Sequence, residues 1–214
     1  MWTREDLKTK AKAAFKGNYG NSVGAYIIIG LLLAVLGGLI TYYTNLSSSE
    51  GSSSPVAYVA LVIVAVLEVL VINPVAAGLD YFYLKNSNGE KPTVSDAFYF
   101  FREGRFSNAV GVLFLKELFL SLWTILLIVP GVIKSYEYRM INYILAENPD
   151  MSWKEVFAKS KEMMNGQKMN AFVLDLSFIG WDLLGIVTLG LAGVLYVGPY
   201  QEATNAELYK ALKK

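Results

Sequence analysis

The sequence predicts an all-α fold: a polytopic transmembrane helical bundle of six spans, arranged as three hairpins with amphipathic helices at the cytoplasmic interface. Three observations predict it. Of 214 residues, 54% are hydrophobic and only 17% charged, with a mean hydropathy of +0.39; a soluble domain carries about a quarter charged residues. The apolar stretches reach the roughly 20 residues that spanning requires. Lys and Arg cluster between those stretches on one side only.

The elements follow in order. Spans fall near 22–43, 56–79, 108–129, 131–147, 171–187 and 190–208. The first lies inside Gly17–Ser49, which has no ionisable side chain except tyrosines. Its run is too long and starts too late for a cleaved signal peptide. Pro130-Gly131 breaks the third span from the fourth, which carries Lys134, Glu137 and Arg139; a re-entrant or tilted segment is the rival reading for 131–147. Pro74 and Pro199 sit toward the ends of the second and sixth spans, where a kink is tolerated.

Orientation follows from the basic residues. Residues 1–20 hold five Lys or Arg, 80–107 four, 147–170 four and 200–214 three, whereas 44–55 and 187–190 hold none. By the positive-inside rule the basic segments are cytoplasmic and the Ser-rich 44–55 stretch is external. Six spans place both termini in the cytoplasm; five would move the basic C-terminus outside.

Three cytoplasmic segments open with [ST]-x-x-[DE], the spacing at which hydroxyl and carboxylate satisfy free helical amides: Thr3 with Asp6, Thr93 with Asp96, and Ser152 with Glu155. Trp153, Val156, Phe157, Ser160, Met163 and Met164 share one helix face, opposite Lys154, Lys161 and Glu162. Such helices suit either the membrane interface or a cover over the cytoplasmic end of the bundle. Each is followed by Gly-x-x-x-Asn: Gly17 and Asn21, Gly104 and Asn108, Gly166 and Asn170. Glycine can end one helix in the left-handed conformation, and asparagine can N-cap the next. The chain therefore reads as a single membrane domain, 1–214, with candidate parallel repeats at 1–84, 92–148 and 151–214.

Charges inside spans face a bundle interior or a water-filled cavity. The candidates for such a polar centre are Glu68, Lys116, Glu117, Glu137, Arg139, Asp175 and Asp182. They read as a proton or ion relay, as a headgroup pocket, or as pairs that only set helix register. The tyrosines near span ends fit an aromatic belt, and Gly30, Gly37, Gly38, Gly185, Gly190 and Gly193 fit close helix packing, within one chain or in a homo-oligomer.

Composition also excludes functions. With no His and no Cys, imidazole catalysis, thiolate metal sites and disulfides are absent, and no metal or cofactor is expected. A net charge of +1 argues against nucleic-acid binding. No Walker motif, dinucleotide fingerprint or nucleophile elbow occurs.

Several segments resemble one family. They are Arg4-Glu5-Asp6-Leu7-Lys8 with Lys16-Gly17-Asn18-Tyr19, Pro74-x-x-x-Gly78, Pro130-Gly131-Val132-Ile133-Lys134-Ser135-Tyr136, Tyr143-Ile144-Leu145-Ala146-Glu147-Asn148-Pro149, Ser160-Lys161-Glu162-Met163-Met164-Asn165-Gly166, Leu176-Ser177-Phe178-Ile179-Gly180-Trp181, and Pro199-Tyr200 with Ala206-Glu207-Leu208-Tyr209. Over nearly its whole length the chain resembles the uncharacterised bacterial integral membrane family DUF975. The resemblance implies a multi-pass cell-membrane protein and supplies no activity and no functional residue. Three functions remain open: a non-enzymatic interaction or assembly protein, ranked first, with lipids and cytoplasmic-face proteins as partners; a small transporter or channel using the intramembrane carboxylates; and a lipid-active enzyme built on Glu147 or Asp150.

Overall fold

The computed structural model describes residues 2–49, 55–102 and 104–213, and every regular element among them is helical. Residues 50–54 of the Ser-rich stretch lie outside the described residues. Helix α1 (Arg4–Gly17) is followed by α2 (Tyr19–Ser49). Next come α3 (Pro55–Leu67), a π turn (Glu68–Ile72) and α4 (Asn73–Ser87), which run on as one rod. A 3-10 helix (Val94–Phe101) leads to α5 (Phe106–Leu126), α6 (Ile128–Glu137) and α7 (Ile141–Glu147). Finally α8 (Trp153–Met163), α9 (Lys168–Leu176) and α10 (Ile179–Val187) precede a second π turn (Gly193–Val197) and α11 (Gly198–Leu212).

Among the described residues, four helices are long and apolar enough to cross a membrane: Tyr19–Leu39, Val62–Ser87, Phe106–Leu126 and Lys168–Val187. The other two expected spans are broken or charged. The turn at 138–140 divides the fourth, and Glu202 and Glu207 lie in the sixth.

Local chemistry sets the ends. The Thr3 hydroxyl accepts the Asp6 amide at 3.2 Å, and full capping boxes form at Thr93 with Asp96 and at Ser152 with Glu155. The second amphipathic segment is nevertheless a 3-10 helix, kinked at Phe98, because it packs directly on α4. The Gly-x-x-x-Asn joints depart from expectation in one respect. Gly104 and Gly166 are left-handed, at φ +80° and +72°, but Asn21, Asn108 and Asn170 each fall at the third residue of the next helix rather than at its cap. From that position the Asn108 amide donates to the Pro149 and Met151 carbonyls, at 2.6 and 3.0 Å, and fastens the turn before α8.

Pro74 and Pro199 each stand two residues beyond the end of a π turn. A proline has no N–H, and its ring collides with the carbonyl four residues earlier, so one extra residue in the turn relieves the clash. Four residues before Pro199, the Leu195 carbonyl instead accepts the Tyr19 hydroxyl at 3.1 Å.

Burial divides the molecule lengthwise. The core lies at the end bearing the basic segments, where Leu7, Ala11 and Phe15 of α1, Phe82 and Tyr83 of α4, Phe100, Ile141 and Ile144, Val156, and Tyr200 and Tyr209 of α11 meet. There the three amphipathic segments bury their apolar faces in the protein. The contact of α4 with the 3-10 helix leaves no space for a side chain at Gly78, where a Cβ would stand 1.8 Å from the Ala97 carbonyl oxygen. At the opposite end apolar side chains face outward: Ile125 is 81% exposed and Leu189 94%. An apolar collar of this extent fits lipid as its solvent.

Candidate functional site

Ionisable groups that folding removes from water need partners, and α4, α5, α7, α9 and α11 bring such groups together on the inner flank of the collar. Arg139, in the turn between α6 and α7, is the hub. Its Nη1 and Nη2 donate to the two carboxylate oxygens of Asp175, both at 2.7 Å, and Nη2 also donates to Asn205 Oδ1 at 2.7 Å. The Tyr136 hydroxyl donates to Asp175 Oδ2 at 2.8 Å. A planar guanidinium matched to a carboxylate in this way fixes orientation as well as charge.

A second arm centres on Asp80. Asn142 Nδ2 donates to Asp80 Oδ2 at 2.6 Å and the Tyr143 hydroxyl to Oδ1 at 3.2 Å. Lys116 Nζ donates to Asn142 Oδ1 at 3.2 Å and pairs with Glu117 at 3.2 Å. The Glu202 carboxyl stands against both Asp80 and Asn205. Asp80, Lys116, Glu117, Arg139, Tyr143, Glu202 and Asn205 line a cavity of about 320 Å³ that also touches Leu120, Ser135 and Tyr138. Four carboxyl groups (Asp80, Glu117, Asp175 and Glu202) thus face two cations, Lys116 and Arg139. The arrangement can hold a proton or a small cation between Asp80 and Glu202. Among the described residues, no group of three or more metal-ligating side chains of the His, Cys, Asp and Glu types comes together.

Of the seven residues singled out in the sequence, Lys116, Glu117, Arg139 and Asp175 meet here. Glu137 lies nearer the basic end, paired with Lys134 at 2.6 Å and Lys168 at 2.5 Å, while its carbonyl accepts the Ser160 hydroxyl. Asp182 is exposed and accepts from Gln201 at 2.8 Å. Glu68 is exposed at the start of the first π turn. Asp175 is the expected carboxylate that meets Arg139, while from the rod that carries Glu68 the carboxylate brought to the site is Asp80. Asp80, Asn142, Tyr143, Glu202 and Asn205 were not singled out. One signal was present: Asp80 and Asn205 each follow a rod proline, Pro74 or Pro199, by six residues.

The family model described as "Protein of unknown function (DUF975)" matches residues 1–136 and 124–214. The chain belongs to DUF975. No curated protein and no solved structure matches it.

Outside the collar, Asp96 is a perturbed acid at the basic end of this DUF975 chain. Burial pushes the Asp96 carboxyl up, but the Thr93 amide at 2.9 Å, Lys85 at 3.3 Å and Arg102 at 3.6 Å together hold it below the usual carboxylate range. That network pins the 3-10 helix to α4.

Proposed function

We propose that this DUF975 protein is a non-enzymatic assembly or anchoring protein of the bacterial cell membrane. In this reading six helical segments, in three pairs, enter the bilayer from the cytoplasmic side, and both termini stay there. One observation carries the proposal. The polar centre is occupied by its own partners, with Arg139 held by Asp175 and Asn205 and Lys116 by Glu117 and Asn142. The cavity beside it is lined on the outer side by Leu120 and Ser135, and neither Glu68 nor Asp182 lines it. Paired charges of this kind fix helix register. The basic end, with Lys154, Lys161 and Glu162 exposed on α8, is then the face offered to protein partners.

Transport of a proton or small cation is the second reading, and the Asp80–Glu202 contact with its excess of carboxyl groups favours it. Proteoliposomes holding a pH-sensitive dye separate the two. The assembly reading expects proton entry, driven by a potassium-diffusion potential, to equal that of empty vesicles for wild type and for Glu202→Gln. Entry above that background that Glu202→Gln removes would establish transport instead.

A further inference from the structure

The three amphipathic segments act as rulers along the helix pairs. On α5, the α8 rings meet Phe119: its centroid lies 6.3 Å from Trp153 and 5.7 Å from Phe157, and Phe157 also packs on Tyr138 at 5.0 Å. Beyond that level only Leu120–Leu126 of α5 and the turn residue Leu127 remain before the chain turns back, eight residues or about 12 Å at 1.5 Å per residue. On the return leg, Glu137 accepts from Ser160 of α8 and pairs with Lys168 at the start of α9. Lys134, higher on the leg, bends its ammonium back to Glu137.

α1 marks a similar level on the last pair. Lys8 Nζ donates to the Ser177 carbonyl at 3.0 Å and lies 4.1 Å from the Phe178 ring; Lys12 approaches Tyr200 at 5.4 Å; Phe15 packs on Tyr196 at 5.6 Å. From Asp182 to the turn at Leu189 is eight residues, again about 12 Å. The first pair differs. Its ruler, the 3-10 helix, touches α2 at Gly24 and α4 at Gly78. Beyond those contacts α2 runs from Ala25 to Ser49, 25 residues or about 37 Å. The hydrocarbon core is about 30 Å thick.

Turn chemistry agrees with these lengths. The α5–α6 turn, Ile125-Leu126-Leu127-Ile128-Val129, is wholly apolar, and its proline, Pro130, has no amide to satisfy. In the other short turn the Thr188, Leu189, Gly190 and Leu191 amides donate to Leu184, Ile186, Gly185 and Thr188 carbonyls, and the Ala192 amide to the Thr188 hydroxyl. A turn surrounded by lipid must pair its own backbone in this way, whereas a turn in water need not. The α2 end, by contrast, is Thr44-Asn45 followed by Ser47-Ser48-Ser49.

We propose that α5–α6 and α10–α11 are one-leaflet insertions, wedged among the acyl chains of the cytoplasmic leaflet and ending near the bilayer midplane, while only the α2–α3 pair crosses. The partner of both tips is lipid hydrocarbon. Their volume enters one leaflet alone, so the protein bends the membrane toward the cytoplasm or prefers membrane already so bent. The inference rests on the cytoplasmic placement of the basic end given above.

The chain has no cysteine, so single thiols report depth directly. Leu127→Cys and Leu189→Cys lie on exposed apolar sites and leave folding intact; Ser52→Cys reports the Ser-rich stretch. In cells, a membrane-impermeant maleimide added outside should label Ser52→Cys and neither tip. In phosphatidylcholine–phosphatidylglycerol vesicles, a fluorophore on either tip should be quenched several-fold more by nitroxide at the acyl-chain end than by nitroxide at the headgroup. Labelling of Leu127→Cys or Leu189→Cys from outside, or stronger quenching at headgroup level, overturns the inference. Absence of label on Ser52→Cys overturns the orientation on which it rests.

Discussion

Arg139 holds Asp175 through both guanidinium nitrogens, each 2.7 Å from a different carboxylate oxygen, and so ties the α6–α7 turn to α9. The two lie thirty-six residues apart in the chain, and the pair fixes where α9 stands against α6.

Arg139→Ala should therefore destabilise the fold by about 2 kcal/mol. That is below the roughly 3–5 kcal/mol of a fully buried pair, because the Asp175 side chain keeps 41% exposure. Unfolding in mixed micelles measures it. Adding Asp175→Asn should recover part of the loss, since the carboxylate left without its partner is then neutral; a double variant that loses the sum of the two single effects would contradict the pairing.

Gly78→Ala and Gly111→Ala should act in opposite directions. A Cβ at Gly78 meets the Ala97 carbonyl at 1.8 Å, so the 3-10 helix must shift, at a cost of about 1–3 kcal/mol. At Gly111, within α5, a Cβ meets nothing within 4 Å, and the better helix former should stabilise by about 0.5–1 kcal/mol. Thermal unfolding of both variants in one detergent gives the comparison.

Tyr19→Phe removes the donor to the Leu195 carbonyl, which Pro199 leaves without its helical partner. The expected loss is about 1 kcal/mol. Faster hydrogen exchange in Gly193–Val197, with little change in the 3-10 helix, is the accompanying signature.

Acid should loosen the 3-10 helix. The folded carboxyl of Asp96 is held below its unfolded value of about 3.9, so its contribution is fully present above that value and is lost as pH falls through the lower, folded one. Exchange rates of Val94–Phe101 measured down the acid range should rise in that window. In Asp96→Asn the segment should be looser at neutral pH and show no such step.

Much of the fold was legible because its signals are local. The capping pairs Thr93–Asp96 and Ser152–Glu155 span three residues, and the left-handed turns at Gly104 and Gly166 are backbone properties of single residues. The asparagines of the joints were displaced from the expected cap because the helix begins two residues after the glycine, a register that the side chain alone does not announce. The polar centre was half legible. Lys116, Glu117, Arg139 and Asp175 stand out as charges inside apolar runs. Asp80 and Glu202 stand near the ends of such runs, where a charge is ordinary, and each lies beyond a π turn that shifts the helical phase by one residue.

By itself, then, the sequence determined an all-helical membrane protein, its capped amphipathic helices and its asymmetry of charge, since hydropathy and capping act over a few residues. Tertiary structure alone decided which charges meet, because that depends on the phase of π-turned helices and on contacts such as Gly78 against Ala97. It also decided how much of each helix pair stands beyond its amphipathic neighbour. Length and hydropathy allow α5 to cross a bilayer; the rings of α8 against Phe119 leave only eight residues beyond that contact.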